Sequence, residues 1–446
     1  MTAPPALLIE RLVPGGQSLA HLPDGRVILL RGGLPGDSVE VQIESNKPSL
    51  ALGRVLRVVE PSPHRAPSAC SYVEQCGGCP LLPLDSKPEL DVKLSIVDQA
   101  LVRTGKLTTA ELASRGELQS AGERLGYRTR MRFQQRAGQI GFFGRESHLL
   151  VDVEKCQVAS PELGELLREV RAELQLFPEL MRDVEGVELA VFPENPREPE
   201  APRERSSLVF YWAQQVKAAG TERERFSALA RLGAVRTLTK DELRTARPFG
   251  KSAQRYWILP DLYIRVAPGS FSQVNPGVNR LLIRTVLASA AEVDARTFLD
   301  LYGGAGNFTL PLLRQGLRGT LVEFNGASVE WARVAADEQG LSGAQFFVGD
   351  VAAWVRAQGR QNKGADLVVL DPPRAGAKDA LVDAYRLADK RLLLVGCDPT
   401  AFARDLRQLL DLGGTLRSIV PLDMFPGTHH IELIALIDKP HRASGG

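Results

Sequence analysis

Asp300-Leu-Tyr-Gly-Gly-Ala-Gly-Asn-Phe308 lies between an apolar run, Thr297 to Leu301, and a short helical pattern, Leu310 to Arg314. A glycine-rich turn at the carboxyl end of a strand lets the backbone come close to a ligand. Gly304 and Gly306 fit the first two positions of a dinucleotide fingerprint, but Thr309 occupies the third, which weakens a pyrophosphate reading. The next apolar run ends at Glu323, where a carboxylate can accept both ribose hydroxyls. The expected ligand is therefore a nucleoside with a ribose diol.

The runs beyond that turn set the fold. Gly319 to Glu323, Gln345 to Val348, Ala365 to Leu370 and Arg391 to Val395 alternate with helical patterns, as in a doubly wound parallel sheet. Leu416 to Pro421 and His430 to Ile437 then follow one another with only a loop between, so the sheet is expected to end in an antiparallel pair. That ending is the layout of S-adenosylmethionine-dependent methyltransferases, whereas a dinucleotide dehydrogenase would continue the alternation. The expected class is α/β. A Rossmann-like seven-stranded methyltransferase domain spans 269–446, preceded by an OB-like β-barrel over 1–62 and an α+β central domain with a cysteine cluster over 63–268.

At 446 residues the chain has room for three domains of about 150 residues each. Hydrophobic residues make up 44% and charged residues 24%, which excludes disorder of the chain as a whole. The opening Met1 to Glu10 has no basic segment ahead of an apolar one, and no stretch is apolar for about 18 residues. No membrane segment and a cytoplasmic location are expected. The net charge of +2 requires a nucleic-acid partner to be held by locally clustered Arg and Lys.

Near the start, Leu7 to Leu12, Gly25 to Leu30, Ser38 to Ile43 and Leu52 to Val59 read as short strands separated by Pro/Gly turns, a barrel pattern. A basic hairpin follows: Arg128, Arg130 and Arg132 fall on one strand face, and the chain returns as Ile140 to Phe143. Guanidinium rows beside aromatics hold phosphates and stack bases, and a solvated strand face is the alternative. Pro193 to Arg205, rich in Pro and charge, reads as an exposed insertion.

Chemistry gathers at strand ends. Asp371-Pro-Pro-Arg374 and Gly396-Cys397-Asp398-Pro399 both follow parallel strands, where open α/β sheets bind ligands. Pro399 suits the first position of a helix with Asp398 as N-cap. Cys397 just ahead of that terminus is expected to favour thiolate; a small buried hydrophobe is the other reading. A thiolate beside a methyl donor suggests methylation at pyrimidine C5, because addition at C6 turns C5 into an enolate carbon. A base must then remove the C5 proton, and Glu432 is the leading candidate, with His429 and His430 behind it.

Of the five cysteines, Cys70, Cys76 and Cys79 lie on one short loop, and Cys156 can be a fourth ligand. Four thiolates suit an iron-sulfur cubane or structural zinc. The single CxxC unit favours the cluster, in a structural or RNA-binding role.

These segments together resemble the RNA uracil-C5 methyltransferase family, the iron-sulfur enzymes that make 5-methyluridine. The resemblance rests on a TRAM-type barrel, the Cx5CxxC pattern with a distant Cys, Phe271-Ser-Gln-Val-Asn275, Leu299 to Phe308, Asp371 to Gly376, the Cys397 segment, and Asp423-Met-Phe-Pro426 before Glu432. It implies that Gln273, Tyr302, Asn307, Glu323, Asp350 and Asp371 line the pocket for S-adenosyl-L-methionine and the base. It also implies Cys397 as nucleophile, Glu432 as base, and a [4Fe-4S] cluster on Cys70, Cys76, Cys79 and Cys156. By analogy with the barrel-bearing branch the expected partner is 23S rRNA, with transfer RNA as the alternative, and the chain is expected to act as a monomer. Two segments depart from the family: Gly396-Cys397-Asp398-Pro399 stands where Ser-Cys-Asn-Pro is usual, its Asp leaving cytosine open as a target, and Gly427 replaces a residue that is often His. The rival classes are exocyclic-amine methylation, which would leave Cys397 idle, and an RNA-binding protein with a vestigial methyltransferase fold.

Overall fold

The computed structural model describes residues 6–440 apart from 146, 177–183, 196, 198, 201, 213–228, 239–251 and 362. The chain opens in a six-stranded sheet ordered Leu7–Leu8, Ser38–Asn46, Ala51–Glu60, Val27–Arg31, Ser18–His21, Arg11–Leu12. Its two ends, Leu7–Leu8 and Arg11–Leu12, are one bent stretch of chain, so the sheet closes on itself and leaves few free edges. Ser18–His21 is a strand that alternation did not mark. Its residues Ser18, Leu19 and Ala20 are all buried, so the polar-apolar signal is lost.

Helix Ser86–Arg103 leads into a second sheet ordered Ala234–Leu238, Ser206–Trp212, Val184–Val191, Arg130–Arg136, Gln139–Phe143, Leu150–Asp152. Its hairpin turns on Ala137 and Gly138, both at positive φ (50° and 82°), the geometry of a two-residue connection. The expected arginine row is not a free face. Arg130 pairs with Glu188 at 2.7 Å and donates to the Ser270 carbonyl. The Arg132 guanidinium lies 3.8 Å over the Tyr211 ring. Of the loop 193–205, positions 196, 198 and 201 lie outside the described residues. Among its described residues Glu194, Arg197, Pro199 and Glu204 are exposed as expected, while Asn195 and Arg205 are buried and anchor the loop, Arg205 donating to the Phe192 carbonyl at 2.5 Å.

After a two-stranded hairpin, Gln254–Leu259 with Leu262–Val266, the last sheet has seven strands. In order they are Ala344–Val348, Arg318–Glu323, Thr297–Leu301, Ala365–Leu370, Ala388–Gly396, Glu432–Asp438 and Thr415–Leu422. The first five are parallel, and the last two run antiparallel to their neighbours as expected. Alternate residues feed two cores: Leu367, Val369, Leu393 and Val395 pack with helix Pro276–Glu292, while Val368, Leu370, Leu392 and Leu394 pack with helices Leu381–Leu387 and Pro399–Asp411. Burial on both faces explains why these strands read as continuous apolar runs. The outer edge at Thr415–Leu422 is met by bridges from Arg115 and Gln119. Among the described residues no helix is long and apolar enough to cross a membrane.

Candidate active site

The sheet brings six chain crossings to one edge. Thr297–Leu301 delivers Tyr302 to Asn307, Arg318–Glu323 ends at Glu323, Ala344–Val348 precedes Asp350, Ala365–Leu370 precedes Asp371, and Ala388–Gly396 precedes Cys397. Glu432 begins an antiparallel strand and so reaches the same edge from the opposite direction.

The glycine turn is built from backbone geometry. Tyr302, at φ 64°, occupies a region that side-chain-bearing residues seldom adopt, and its N–H and that of Gly303 donate to the Val322 carbonyl at 2.9 and 3.2 Å. Gly306, at φ 89°, has no room for a side chain, since a Cβ would lie 2.5 Å from Leu310 Cδ1. Asp300 pins the turn from beneath: one carboxylate oxygen accepts from Thr309 N–H at 3.0 Å and Thr309 Oγ1 at 2.6 Å. Its other oxygen is buried without a partner, and burial lifts the group to about 6. The sequence reading did not single out Asp300. Its signal was available as an acid closing the first apolar strand.

Glu323 accepts from Asn325 N–H at 2.7 Å and Gly304 N–H at 3.3 Å. Asp350 caps helix Val351–Gly359 through Ala353 N–H at 2.8 Å. Exposed Phe324 and Val348 flank these two acids. Asn307 and Asn279 exchange hydrogen bonds at 2.9 Å in both directions. Gln273 is nearly buried beside exposed Phe271, and Asn275 caps helix Pro276–Glu292. An unpartnered buried carboxylate oxygen, a glycine-rich turn and an acid at the end of the neighbouring strand fit a nucleoside carrying a charged amino acid.

Cys397 and Glu432 are brought together by strand register. Gly396 pairs with Leu433 in the antiparallel ladder, so the next step of that ladder sets Cys397 opposite Glu432. Asp371 lies close to both and is lifted to about 7 by burial and then by the charges of Asp300 and Glu323. Glu432 is raised well above the ordinary carboxylate range by burial and by Asp371. The expected thiolate is not found. Asp398 does cap helix Pro399–Asp411 through Ala401 N–H at 2.7 Å. Burial and the Glu432 carboxylate nevertheless outweigh that helix end and push the thiol up to about 11, with Arg374 acting in the opposite direction. Arg374 also helps hold His429 and His430 below their ordinary values, after burial as the main cause, with His430 near 4. Neutral, partly buried rings at those positions make weak bases. Only the Asp-Pro-Pro-Arg374 motif hinted at this arginine.

Cys70, Cys76, Cys79 and Cys156 line one cavity of about 270 Å³, which Arg128, Met131 and Phe142 also border. Burial raises the Cys79 thiol to about 12 and also raises Cys76 and Cys156, and neighbouring thiols add to each shift. Among the described residues no set of three His, Cys, Asp or Glu converges tightly enough to hold a single metal ion. Four thiols spread around a cavity suit a multi-atom cluster better than a zinc ion, which needs sulfurs converging at about 2.3 Å.

A doubly wound sheet with a glycine-rich turn, an acid closing its second strand and a terminal antiparallel pair defines an S-adenosylmethionine-dependent methyltransferase. Residues 260–440 match the family described as tRNA (Uracil-5-)-methyltransferase, and residues 6–56 match the TRAM domain. The 23S rRNA (uracil(1939)-C(5))-methyltransferase RlmD of Chromohalobacter salexigens is 32% identical, with 97% of this chain and 89% of that protein covered. RlmD of Methylococcus capsulatus is 32% identical, with 98% and 97% covered. Among solved structures, Pyrococcus abyssi tRNA (uracil-54, C5)-methyltransferase in complex with S-adenosyl-L-homocysteine shares the fold, with a TM-score of 0.68 and 23% identity over 97% of this chain and 100% of that one. The chain belongs to the S-adenosylmethionine-dependent RNA uracil-C5 methyltransferase family.

Proposed function

We propose that this chain methylates C5 of a uridine in 23S rRNA, acting as a monomer in the cytoplasm, with Cys397 as nucleophile and Glu432 as the base that takes the C5 proton. The observation that carries the assignment is the Gly396–Leu433 pairing, which sets Cys397 and Glu432 side by side on adjacent strands. Gln273, Tyr302, Asn307, Glu323, Asp350 and Asp371 are the residues to hold the methyl donor and the target base, with Asp300 added beneath the glycine turn. Bound S-adenosylmethionine supplies an electrophilic sulfonium methyl.

The chain's own groups handle the protons. A thiol near 11 is protonated in the free site, so its proton must leave as sulfur bonds C6, and the Asp371 carboxylate beside it is a suitable acceptor. Methylated C5 still bears its hydrogen. The Glu432 carboxylate removes it, the C6–S bond breaks, and Cys397 recovers a proton. One proton per turnover goes to solvent. The two carboxyls titrate as a pair, since neighbouring buried charges of one sign oppose joint ionisation, so the proton that Asp371 takes from the thiol passes to solvent before the Glu432 carboxylate removes the C5 hydrogen.

The rRNA reading follows the two relatives named for 23S rRNA, and it is favoured over transfer RNA because that likeness spans nearly the full chain at higher identity. Uracil is favoured over cytosine because the Asp398 carboxylate is already engaged as a helix cap. The cluster reading is supported by the four thiols that line one cavity, which would hold a [4Fe-4S] group in a structural or RNA-binding role. RNA carrying 5-fluorouridine at the target has no removable C5 proton, so with S-adenosylmethionine it is expected to remain covalently bound to the enzyme. Cys397→Ala with full activity on natural RNA overturns the mechanism. Anaerobically purified protein is expected to contain iron and sulfide, and stoichiometric zinc overturns the cluster.

A further inference from the structure

Asp423 to Gly427 leads directly into the strand that carries Glu432, and it is gripped from the first third of the chain. Lys93, in helix Ser86–Arg103, has no exposed surface. Its ammonium reaches Asp423 Oδ1 at 2.5 Å, Glu89 Oε1 at 3.2 Å and the Phe425 carbonyl at 3.0 Å. Glu89, equally buried, accepts from Gly427 N–H at 2.5 Å and pairs with Arg124 at 2.5 Å. The Tyr127 hydroxyl donates to the Pro426 carbonyl at 3.1 Å, and Leu81 N–H to that of Gly427 at 2.9 Å. Three consecutive carbonyls, of residues 425, 426 and 427, are thus each held by a donor from residues 81–127.

Two cations and two carboxylates balance in charge, so the cluster is complete without a ligand. An apolar plug would cover this segment equally well but would not fix its height. Charge-assisted hydrogen bonds are directional and lock their partners to within a few tenths of an ångström. The ladder sets Glu432 against Leu422 and beside Cys397, whereas the turn 423–427 that closes that ladder is held by this cluster.

We propose that Lys93, Glu89 and Asp423, with Arg124, are positioning residues that hold Glu432 in register with Cys397 for the proton-removal step. The proposal rests on the reading of Glu432 as the base. Loosening the clamp then slows release of product from sulfur more than it slows addition or methyl transfer.

The test uses the full-length protein, RNA with natural uridine and methyl-labelled S-adenosylmethionine, with covalent protein–RNA adduct read on a denaturing gel. Glu432→Gln is the reference and is expected to accumulate labelled adduct. Lys93→Met and Asp423→Asn are expected to accumulate the same adduct with kcat reduced about tenfold or more, less than full loss of a general base. KM for S-adenosylmethionine stays within about twofold, because the donor pocket is untouched. Lys93→Arg restores part of kcat. Asp423→Asn keeps the side-chain shape and carries the test if Lys93→Met does not fold. Adduct with Glu432→Gln but none with the folded clamp variants overturns the positioning role alone. Absence of adduct with Glu432→Gln overturns the base assignment and the positioning role with it.

Discussion

A half-buried thiol near 11 beside two elevated carboxyls leaves Cys397, the proposed nucleophile, inert until its proton has somewhere to go. The acceptor Asp371 is ionised only above about 7, so kcat/KM is expected to fall as pH drops from about 8 to about 6. Asp371→Asn removes that limb along with most activity, and a flat profile for the native enzyme across this range counts against the assignment. Asp300 shows the same physics acting on stability. Its native value of about 6 exceeds the ordinary ~3.9, so the folded state keeps a proton that the unfolded chain releases, and stability falls as pH rises through that window. Asp300→Asn retains an acceptor for Thr309 and places a donor where the unpartnered oxygen lies. It is expected to gain roughly 1–3 kcal/mol at about pH 8, nothing near pH 4, and to weaken S-adenosylmethionine binding by calorimetry.

At the scale of elements, helix ends and strand ends do the aiming. Asp398 fixes the start of Pro399–Asp411 and so the turn that presents Cys397. Asp398→Ala is expected to cost about 1 kcal/mol in denaturant unfolding and to reduce turnover while leaving the donor's KM unchanged. Asn275 acts similarly for Pro276–Glu292, and Asn279 on that helix bonds Asn307 in the glycine turn, which ties the Phe271–Asn275 segment to the donor pocket. Helix Ser86–Arg103 carries Glu89 and Lys93 into the interior. Nothing local to those two residues distinguishes a buried Glu–Lys pair at i,i+4 from an exposed one, because both follow the same helical spacing.

Across the whole molecule, the parts meet at the loop before Glu432. The barrel turn at Gly16, φ 81°, abuts His429 so closely that a Cβ there would lie 2.5 Å from Nδ1. Gly427 lies against Cys79 and Leu82 of the cysteine loop. Barrel, cysteine loop and methyltransferase sheet therefore press on one short segment. Gly16→Leu is expected to lower kcat on RNA at least about threefold with the barrel still folded by circular dichroism, and S-adenosylmethionine affinity unchanged. On the proposed cluster, removal of iron by a chelator is expected to lower the thermal midpoint and to impair RNA methylation more than donor binding, since neither Glu323 nor Asp350 lines the cysteine cavity.

The parallel strands were legible because each is buried on both faces and so reads as an unbroken apolar run, and the glycine turn was legible because Gly304 and Gly306 take positive φ there. The sequence by itself determined the doubly wound sheet, its antiparallel ending, the capping of the Cys397 helix and the grouping of four thiols. Only the tertiary structure decided what those groups experience: the thiol held neutral, the arginine row of Arg128 to Arg132 partly turned inward, and the buried grip of Lys93 on Asp423. The reason is range. Periodicity and turn chemistry act over a few residues, while desolvation and ion pairing depend on partners that folding brings together from hundreds of residues away.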